Sequence, residues 1–273
     1  MTTLVDAELL GMAMEVAEEV ANKRGLRTLQ TQQGLSFLDE DGHKVESRSL
    51  VQAVRSRLHQ RLTERARAQH MARWGEEDIV TVRVLDADSG EVETLDGAVR
   101  GVISRAERKR ITLSIGQIVP ARVLDPTRGL LSFSHPSVLA YAMRREVPEV
   151  ATGEVKIVRI AREAGVRSKV AVRERDPDID PVCACIGRNA SRIAAVRPAL
   201  SGESVDIIPW SRDIEMFVAD ALAPAQVLSV VVEKGNGIAH VTVLPEHTTL
   251  AIGPGGLNAK LAMRLTGYGI DIL

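Results

Sequence analysis

The spacing of apolar residues along the first 75 positions predicts two helices around a short hairpin. In the segment 3–24 the apolar side chains return every three or four positions, the period of a helix: Leu9, Met12, Val16 and Val20. The segment 47–74 has the same spacing, with Leu50, Val51, Val54, Leu58 and Leu62. Between them, the segment 26–38 is typical of a hairpin, with Gly34 near its turn. The chain is therefore expected to begin with a small α/β unit.

The second predicted helix carries a row of arginines away from its apolar stripe. They are Arg48, Arg55, Arg57, Arg61, Arg65, Arg67 and Arg73. A charged row of this kind is typical of a solvated face. It is also typical of a surface that docks an acidic protein or RNA, and the spacing leaves both interpretations open.

Between positions 78 and 134 the pattern changes to short β-rich runs separated by Gly, Pro and Asp. The runs are 79–84, 91–95, 98–104, 117–124 and 129–133. Five short strands in sequence predict a small barrel, and an OB fold of the S1 type fits. Such barrels bind single strands with exposed aromatics over a basic groove. Here the aromatic candidate is Phe133, and a basic cluster, expected to be a loop, comprises Arg105, Arg108, Lys109 and Arg110. A barrel that serves only as a spacer is the alternative.

The segment 137–273 contains one order of elements twice: helix, two strands, helix, turn, helix and strand. The corresponding segments are 168–172 with 239–243, 184–190 with 250–256, and 204–208 with 269–273. Self-similarity at matched positions is stronger evidence than either motif alone. The order is that of a type II KH domain, so the sequence predicts two such domains in tandem.

A turn related to G-x-x-G stands between the two helices of each copy. Glycine lets the backbone approach a partner closely, because no Cβ is in the way. The start of the following helix offers unpaired N–H groups and the positive end of its dipole, which together suit phosphate. KH modules hold the backbone of single-stranded nucleic acid in this way. The candidate RNA-binding residues are Ile186, Gly187, Arg188, Asn189, Ala190, Arg192, Ile252, Gly253, Pro254, Gly255, Gly256, Asn258, Lys260 and Arg264.

The two turns differ in ways that lower the expected affinity for RNA. In the first copy Ala190 replaces the second glycine, and alanine does not easily adopt a positive φ. That copy offers Arg188 and Arg192 as point charges for phosphate instead. In the second copy Pro254 and Gly255 keep the backbone shape and bring no charge. We expect the second turn to contribute more to RNA binding than the first.

Composition narrows the classes of function. The formal net charge is −1, which is unlike a protein that binds duplex DNA through its overall field. Aromatic residues make up 3% of the chain, so base stacking is a weak basis for binding. No apolar run is long enough to span a bilayer, and the N-terminus lacks the pattern of a signal peptide. We therefore expect a cytoplasmic, monomeric protein with no membrane partner.

The residues that carry catalysis or bind metals are sparse. Cys183 and Cys185 are one residue apart, which is neither a redox pair nor a zinc-ligand set, and both are expected to pack in the KH core. The six histidines are scattered, and no paired carboxylates are evident. The sequence predicts no catalytic residue, no cofactor and no metal site.

Several segments closely resemble the NusA family of bacterial transcription factors. They are 146–150, 160–165, 168–172, 180–187, 223–230 and 250–267, the last containing Gly253-Pro254-Gly255-Gly256-Leu257-Asn258-Ala259-Lys260. The resemblance is specific over 146–273, rests on strand order over the barrel, and is weak over 1–74. It implies a non-enzymatic factor that associates with RNA polymerase and single-stranded nascent RNA and modulates pausing, termination and antitermination.

With this resemblance the predicted fold is an α+β multidomain protein. Its parts are a small α/β N-terminal, RNA-polymerase-binding-like domain (1–75), an S1-type OB barrel (76–136) and two tandem type II KH domains (137–210 and 211–273). Two alternatives come from other classes of function. The degenerate turns favour a diverged scaffold that keeps the KH fold but binds protein partners. An RNA-processing enzyme, in which S1 and KH modules accompany a catalytic core, is disfavoured because no catalytic domain is evident.

Overall fold

The structure is a computed structural model of the 273-residue chain. It describes the residues 2–31, 34–71, 75, 78–108, 111–233 and 235–273, and their side chains outside 2–8, 30–35, 63 and 66–71. The chain divides into two compact units, Met1–Arg73 and Trp74–Leu273, and each is considered by itself. The part of the chain described has no helix long and apolar enough to cross a membrane.

The N-terminal unit consists of two helices and one hairpin. Its elements are α1 (Thr2–Asn22), β1 (Arg27–Thr31), β2 (Gly34–Leu38) and α2 (Arg48–Met71), with β1 and β2 antiparallel. The core joins Ala17 and Ala21 of α1 to Phe37 of β2 and Leu50 of α2. These four residues are at most 8% exposed, and Val20 and Val54 of the predicted stripes pack against them. The predicted stripe residues Leu9 and Val51 are instead 40% and 47% exposed.

Two arginines of the charged row pack against α1. Arg57 lies 3.4 Å from a carboxylate oxygen of Glu19, while Arg61 lies 3.1 Å from both Glu15 and Glu19. Part of the row therefore joins the two helices of the unit and is not a free docking surface. The side chains of Arg67 and Arg73 lie outside the described residues.

The larger unit begins with a closed five-stranded barrel. Its strands are β3 (Ile79–Asp86), β4 (Glu91–Thr94), β5 (Arg100–Ile103), β6 (Ile118–Asp125) and β7 (Leu130–Ser132), arranged in the order β3-β4-β5-β7-β6. The neighbours are antiparallel except β5 and β7, which are parallel. The five strands fall where the sequence predicted them and close into an OB-like barrel.

Phe133 corrects one expectation about the barrel surface. Its ring is fully buried in the barrel core and lies 5.5 Å from the Arg162 guanidinium. It cannot stack on a base without unfolding the barrel, so the one aromatic candidate for that role is wrong.

The basic cluster of the barrel also differs from the expected loop. Residues Arg105–Arg108 form the short helix α3, and the guanidinium of Arg108 donates to the carbonyl of Asp88. Glu107 accepts hydrogen bonds from the hydroxyl groups of Ser132 and Ser134. Arg108 is therefore held within the barrel, Arg105 is exposed, and Lys109 and Arg110 lie outside the described residues.

The first KH domain follows directly. Its elements are α4 (Pro136–Glu146), α5 (Pro148–Thr152), β8 (Val155–Glu163), β9 (Arg167–Glu174), α6 (Pro181–Ile186), α7 (Ser191–Val196) and β10 (Ser204–Pro209). The sheet order is β10-β9-β8, with β10 parallel to β9. Pro148 begins α5, where proline is favoured because the first helical position loses no hydrogen bond.

The second KH domain has the same topology. Its elements are α8 (Ile214–Ala221), β11 (Val227–Glu233), β12 (Ile238–Val243), α9 (Thr248–Ile252), α10 (Leu257–Thr266) and β13 (Gly269–Ile272). The sheet order is β11-β12-β13, with β13 parallel to β12. Lys234, in the turn between β11 and β12, lies outside the described residues.

The two KH domains share one hydrophobic core. Ala161, Ala171 and Ile208 from the first sheet lie in the same buried cluster as the apolar residues of α8 and α10. Polar contacts reinforce this packing, because Arg159 donates to the carbonyls of Leu265 and Thr266 at the end of α10. The tandem pair is therefore packed as one body.

Candidate nucleic-acid interface

The two G-x-x-G positions have the same backbone path. The first glycines, Gly187 and Gly253, have φ/ψ of 74°/170° and 75°/169°. Two residues further on, Asn189 has 52°/35° and Gly255 has 60°/22°. The last positions are also both left-handed, with φ of 58° at Ala190 and 74° at Gly256. The expectation that alanine would not adopt a positive φ here is wrong.

The first glycine of each loop is required by both conformation and space. A Cβ on Gly187 would lie 2.7 Å from Cγ of Arg192, and one on Gly253 would lie 2.6 Å from Cβ of Asn258. Gly255, by contrast, has open space where a Cβ would stand. The tight turn therefore depends on the first glycine, while its middle positions face outward and tolerate side chains.

Arg192 and Asn258 occupy the same position, five residues after the first glycine. The Asn258 side chain is buried and donates to three carbonyls, those of Leu222, Leu250 and Ala251. This corrects the expectation that Asn258 contacts RNA, because its amide group holds the end of α9 in place. Such carbonyls at a helix end lack intrahelical partners and need a donor.

In the first copy, Arg192 holds the end of α6 as Asn258 holds the end of α9. Its guanidinium donates to the carbonyl of Ala184, at 2.6 Å, and forms an ion pair with Glu149 of α5, at 2.8 Å. Sequence reasoning missed Glu149, since no local pattern links α5 to the loop. With Glu149 beside it, the charge of Arg192 is largely neutralised, so Arg192 holds the loop instead of offering a bare cation.

The other basic residues predicted to bind RNA are of two kinds: some are exposed beside a loop, and one is held in an ion pair. Arg188 is exposed at the first loop, and Lys260 is exposed on α10. Arg264 lies 3.2 Å from Glu163 of the first KH domain and serves the contact between the domains. The structure thus places one exposed basic side chain beside each loop, Arg188 and Lys260.

The apolar members of the predicted site flank the loops. Ile186 ends α6 and is half-buried, while Ile252 ends α9 and is 41% exposed. Pro254 is exposed in the second loop, at the position that Arg188 occupies in the first. Ile252 and Pro254 are therefore exposed apolar residues at the second loop and bring no charge to it.

The helix that leads into the first loop is fixed by an aspartate. Asp180 accepts from the backbone N–H groups of Val182 and Cys183, at 2.9 and 3.0 Å. The Cys183 contact is the main reason that the pKa of the Asp180 carboxyl is lowered. The equivalent helix α9 has no side-chain cap. The first copy therefore stabilises α6 with a side-chain cap, and the corresponding helix α9 of the second copy has no such cap.

The two cysteines lie in α6 but differ in environment. Cys185 is buried in the KH core, and burial raises the pKa of its thiol to about 12. Cys183 is exposed, so the expectation that both pack in the core is wrong for Cys183. Its pKa is raised through a hydrogen bond with Asp180, which disfavours the reactive thiolate.

One group of side chains in the described residues has the spacing of metal ligands. Asp39, Asp41 and His43 lie in an exposed turn of the N-terminal unit. Asp39 already accepts the backbone N–H groups of Asp41 and His43, which accounts for the turn. The group lies in a different unit from the KH loops, and its geometry needs no ion.

Together these features define a class of protein: an OB-like barrel followed by tandem KH domains whose two loops share one backbone geometry. The starts of α7 and α10, which follow the loops, have no side-chain caps. The N–H groups of their first residues, Ser191 and Leu257, donate to the carbonyls of Arg188 and Pro254 within the loops.

Comparisons with known proteins agree with this class. The family model described as the NusA-like first KH domain matches residues 134–210, and the NusA-like second KH domain matches 214–273. The chain is also similar to curated relatives named transcription termination/antitermination protein NusA. The Bacillus subtilis protein is 37% identical over an alignment of 225 residues, and the match covers 71% of this chain and 61% of the relative.

Two further relatives extend the comparison. The Thermus thermophilus protein is 48% identical over 141 residues, or 52% of this chain and 36% of that relative. The Mycobacterium tuberculosis protein is 43% identical over 183 residues, or 64% and 53%. The chain belongs to the NusA family. It spans less than two thirds of the length of each of these relatives.

Proposed function

We propose that this protein is a non-enzymatic transcription factor that binds single-stranded nascent RNA and associates with RNA polymerase. In this role it modulates pausing, termination and antitermination. The observation that carries the proposal is the identical backbone path of the two KH loops, each followed by a helix start with no side-chain cap. The names of the similar proteins support the transcriptional part of the proposal.

The proposed RNA-binding surface comprises the two loops and their exposed neighbours. The phosphate backbone would lie against the exposed backbone of the loops 188–190 and 254–256, with Arg188 and Lys260 beside them. Because contacts with phosphate release counterions, the affinity should fall steeply with salt. Base stacking contributes little to the proposal, since Phe133 is buried.

The proposed protein has four parts, with the boundaries 1–75, 76–136, 137–210 and 211–273. The proposed partner of its N-terminal part is RNA polymerase. An open groove of about 1020 Å³ lies along α2, lined in part by Lys44, Arg48 and Arg55, and it would suit an acidic protein surface. We also propose that the protein is a cytoplasmic monomer that uses no cofactor.

Two measurements test this proposal. Fluorescence anisotropy with a labelled single-stranded RNA should show binding at low salt that weakens at high salt. A pull-down with core RNA polymerase should retain the full chain and lose the chain that lacks residues 1–74, with circular dichroism to confirm that the shortened chain is folded. Polymerase binding without RNA binding would favour the protein-binding scaffold instead.

A further inference from the structure

The two KH sheets differ in what covers their outer faces, meaning the faces turned away from each domain's own helices. In the first domain, Ala161, Ala171 and Ile208 of this face are buried against α8 and α10. In the second domain the face remains open, with Val231 62% exposed and Leu273 68% exposed. The outer face of the second KH sheet consists of Ser229, Val231, Glu233, Ile238, His240, Thr242, Asp271 and Leu273.

The two faces are built from corresponding positions. Lys169 pairs with Asp206 across two parallel strands of the first sheet, and His240 pairs with Asp271 in the same register of the second. The distance from Nζ of Lys169 to Oδ2 of Asp206 is 3.1 Å. The distance from Nδ1 of His240 to Oδ2 of Asp271 is 3.2 Å. The second sheet therefore keeps a basic side chain and a carboxylate at the positions that the first sheet uses beneath a packed helix.

The first face shows what these groups do when a helix covers them. Lys169 is fully buried and donates to the carbonyl of Ala223, just beyond α8. Arg159 donates to two carbonyls at the end of α10, and Glu163 forms an ion pair with Arg264 of α10. The outer face of the first sheet therefore binds the C-terminal ends of α8 and α10 and the basic side chain of Arg264.

Charge indicates which partner would suit the open face. The positions of Arg159 and Arg167 in the first sheet are taken by Ser229 and Ile238 in the second, according to the strand registers. Both carboxylates are kept, as Glu233 and Asp271, and His240 lies between them at 3.1 and 3.2 Å. The second face is thus the more acidic of the two, which disfavours RNA and favours a basic partner.

A second copy of the chain cannot supply the helices in the same way. Its α8 and α10 are already packed on its own first sheet, where Phe217, Leu222, Leu261 and Leu265 are buried. We propose that the outer face of the second KH sheet is a docking surface for a basic amphipathic helix of a protein partner. This surface is distinct from the proposed RNA-binding loops, so the docking proposal can be tested independently of RNA binding.

The test uses the full chain and a defined helical probe. The probe is a hydrocarbon-stapled peptide with the sequence of residues 257–266, because the first face already binds this helix and its exposed side chains include Lys260 and Arg264. Stapling is needed, since an isolated helix of this length is marginal in water. Titration into the ¹⁵N-labelled protein should shift the amide signals of Val231, His240 and Asp271 in a saturable manner.

Matched variants locate the binding. Val231→Asp should weaken binding on the order of tenfold or more, and a probe with glutamate at both basic positions should weaken it similarly. Val166→Asp is the control, because Val166 is a comparably exposed valine outside this face, at 51%. Since Val231→Asp changes an exposed side chain, circular dichroism should show an unchanged fold, and Asp271→Asn provides a second variant with reduced binding.

Three results would overturn the proposal. The first is the absence of saturable shifts on the outer face. The second is equal weakening by Val166→Asp and Val231→Asp. The third is displacement of the peptide by single-stranded RNA, which would make this face part of a nucleic-acid site.

Discussion

The two KH loops reach one backbone geometry with different residues, and the comparison shows what the geometry depends on. Both begin with a glycine whose missing Cβ makes room for the residue five positions later, Arg192 or Asn258. The last loop position is Gly256 in one copy and Ala190 in the other, with φ of 74° and 58°. The first glycine and the flanking helices therefore set the path, and the first copy holds a strained alanine that costs about 1–2 kcal/mol.

The comparison also separates residues that hold a loop from residues that can meet RNA. Asn258 and Arg192 bind the carbonyls at the end of the preceding helix, while Arg188 and Lys260 are exposed. Both loops can then present N–H groups to phosphate, but Arg192 holds the first loop and Asn258 holds the second. The following predictions test this division, beginning with the largest expected effect.

Gly253→Ala should lower the free energy of unfolding of the tandem KH pair by about 3 kcal/mol. The new Cβ would meet Asn258 at 2.6 Å in a backbone conformation that is nearly exclusive to glycine. Gly255→Ala is the matched control, and it should cost only about 1 kcal/mol, because its Cβ would enter open space. Urea denaturation followed by circular dichroism measures both, and equal losses would show that the close contact is unimportant.

Asn258→Ala should cost about 2 kcal/mol, because three buried carbonyls lose their donor. Arg192→Ala, at the same position of the first copy, should cost about 1 kcal/mol or less, since a third of that side chain is exposed and water can replace it. The same denaturation experiment ranks the two. A larger loss for Arg192→Ala would contradict the view that Asn258 is the stronger support.

Asp180→Ala should cost about 1 kcal/mol at neutral pH, because the helix before the first loop loses its cap. The pKa of Asp180 is lowered in the folded protein, so its contribution is present above the unfolded pKa and is lost as the pH falls through the folded pKa. The difference between Asp180→Ala and the wild type should therefore shrink toward acid pH. Glu246→Ala, beside the uncapped α9, serves as the control and should change stability little.

Ala190→Gly should raise the free energy of unfolding by about 0.5–1 kcal/mol, since glycine removes the left-handed strain but gains freedom in the unfolded chain. The reciprocal change Gly256→Ala should lower it by a similar amount. Thermal melts compare the pair. If Ala190→Gly destabilises the protein, the left-handed alanine is not the strained element of the first loop.

Much of this architecture could be predicted from the sequence, because its determinants are local. The barrel strands are bounded by Gly, Pro and Asp, and the KH elements occur twice in one order. Polar side chains near the loops were harder to place. Asn258 resembles a surface residue in the sequence, yet the free carbonyls at the end of α9 draw its amide inward.

Long-range contacts explain the other differences. Phe133 follows a strand of the barrel, and only the fold shows that Arg162, from the first KH domain, covers its ring. Likewise, Arg192 is paired through Glu149, which is 43 residues away along the chain. Neither the spacing of residues nor the composition contains such information.

The most direct test of the unequal loops is an anisotropy titration of single-stranded RNA at two salt concentrations. The same pair of residues is introduced into each loop: Pro254→Asp with Gly255→Asp, and Arg188→Asp with Asn189→Asp. Both variants should fold, because the middle of each loop faces outward and Asn189 already adopts the left-handed conformation.

The second-loop variant should lose most of the RNA affinity, since two carboxylates would face the phosphate, at a cost on the order of one to a few kcal/mol. The first-loop variant should lose less, mainly through charge, so its loss should be smaller at high salt. Greater damage from the first-loop variant would reverse the ranking of the loops. A wild-type protein that binds no RNA even at low salt would contradict the account altogether.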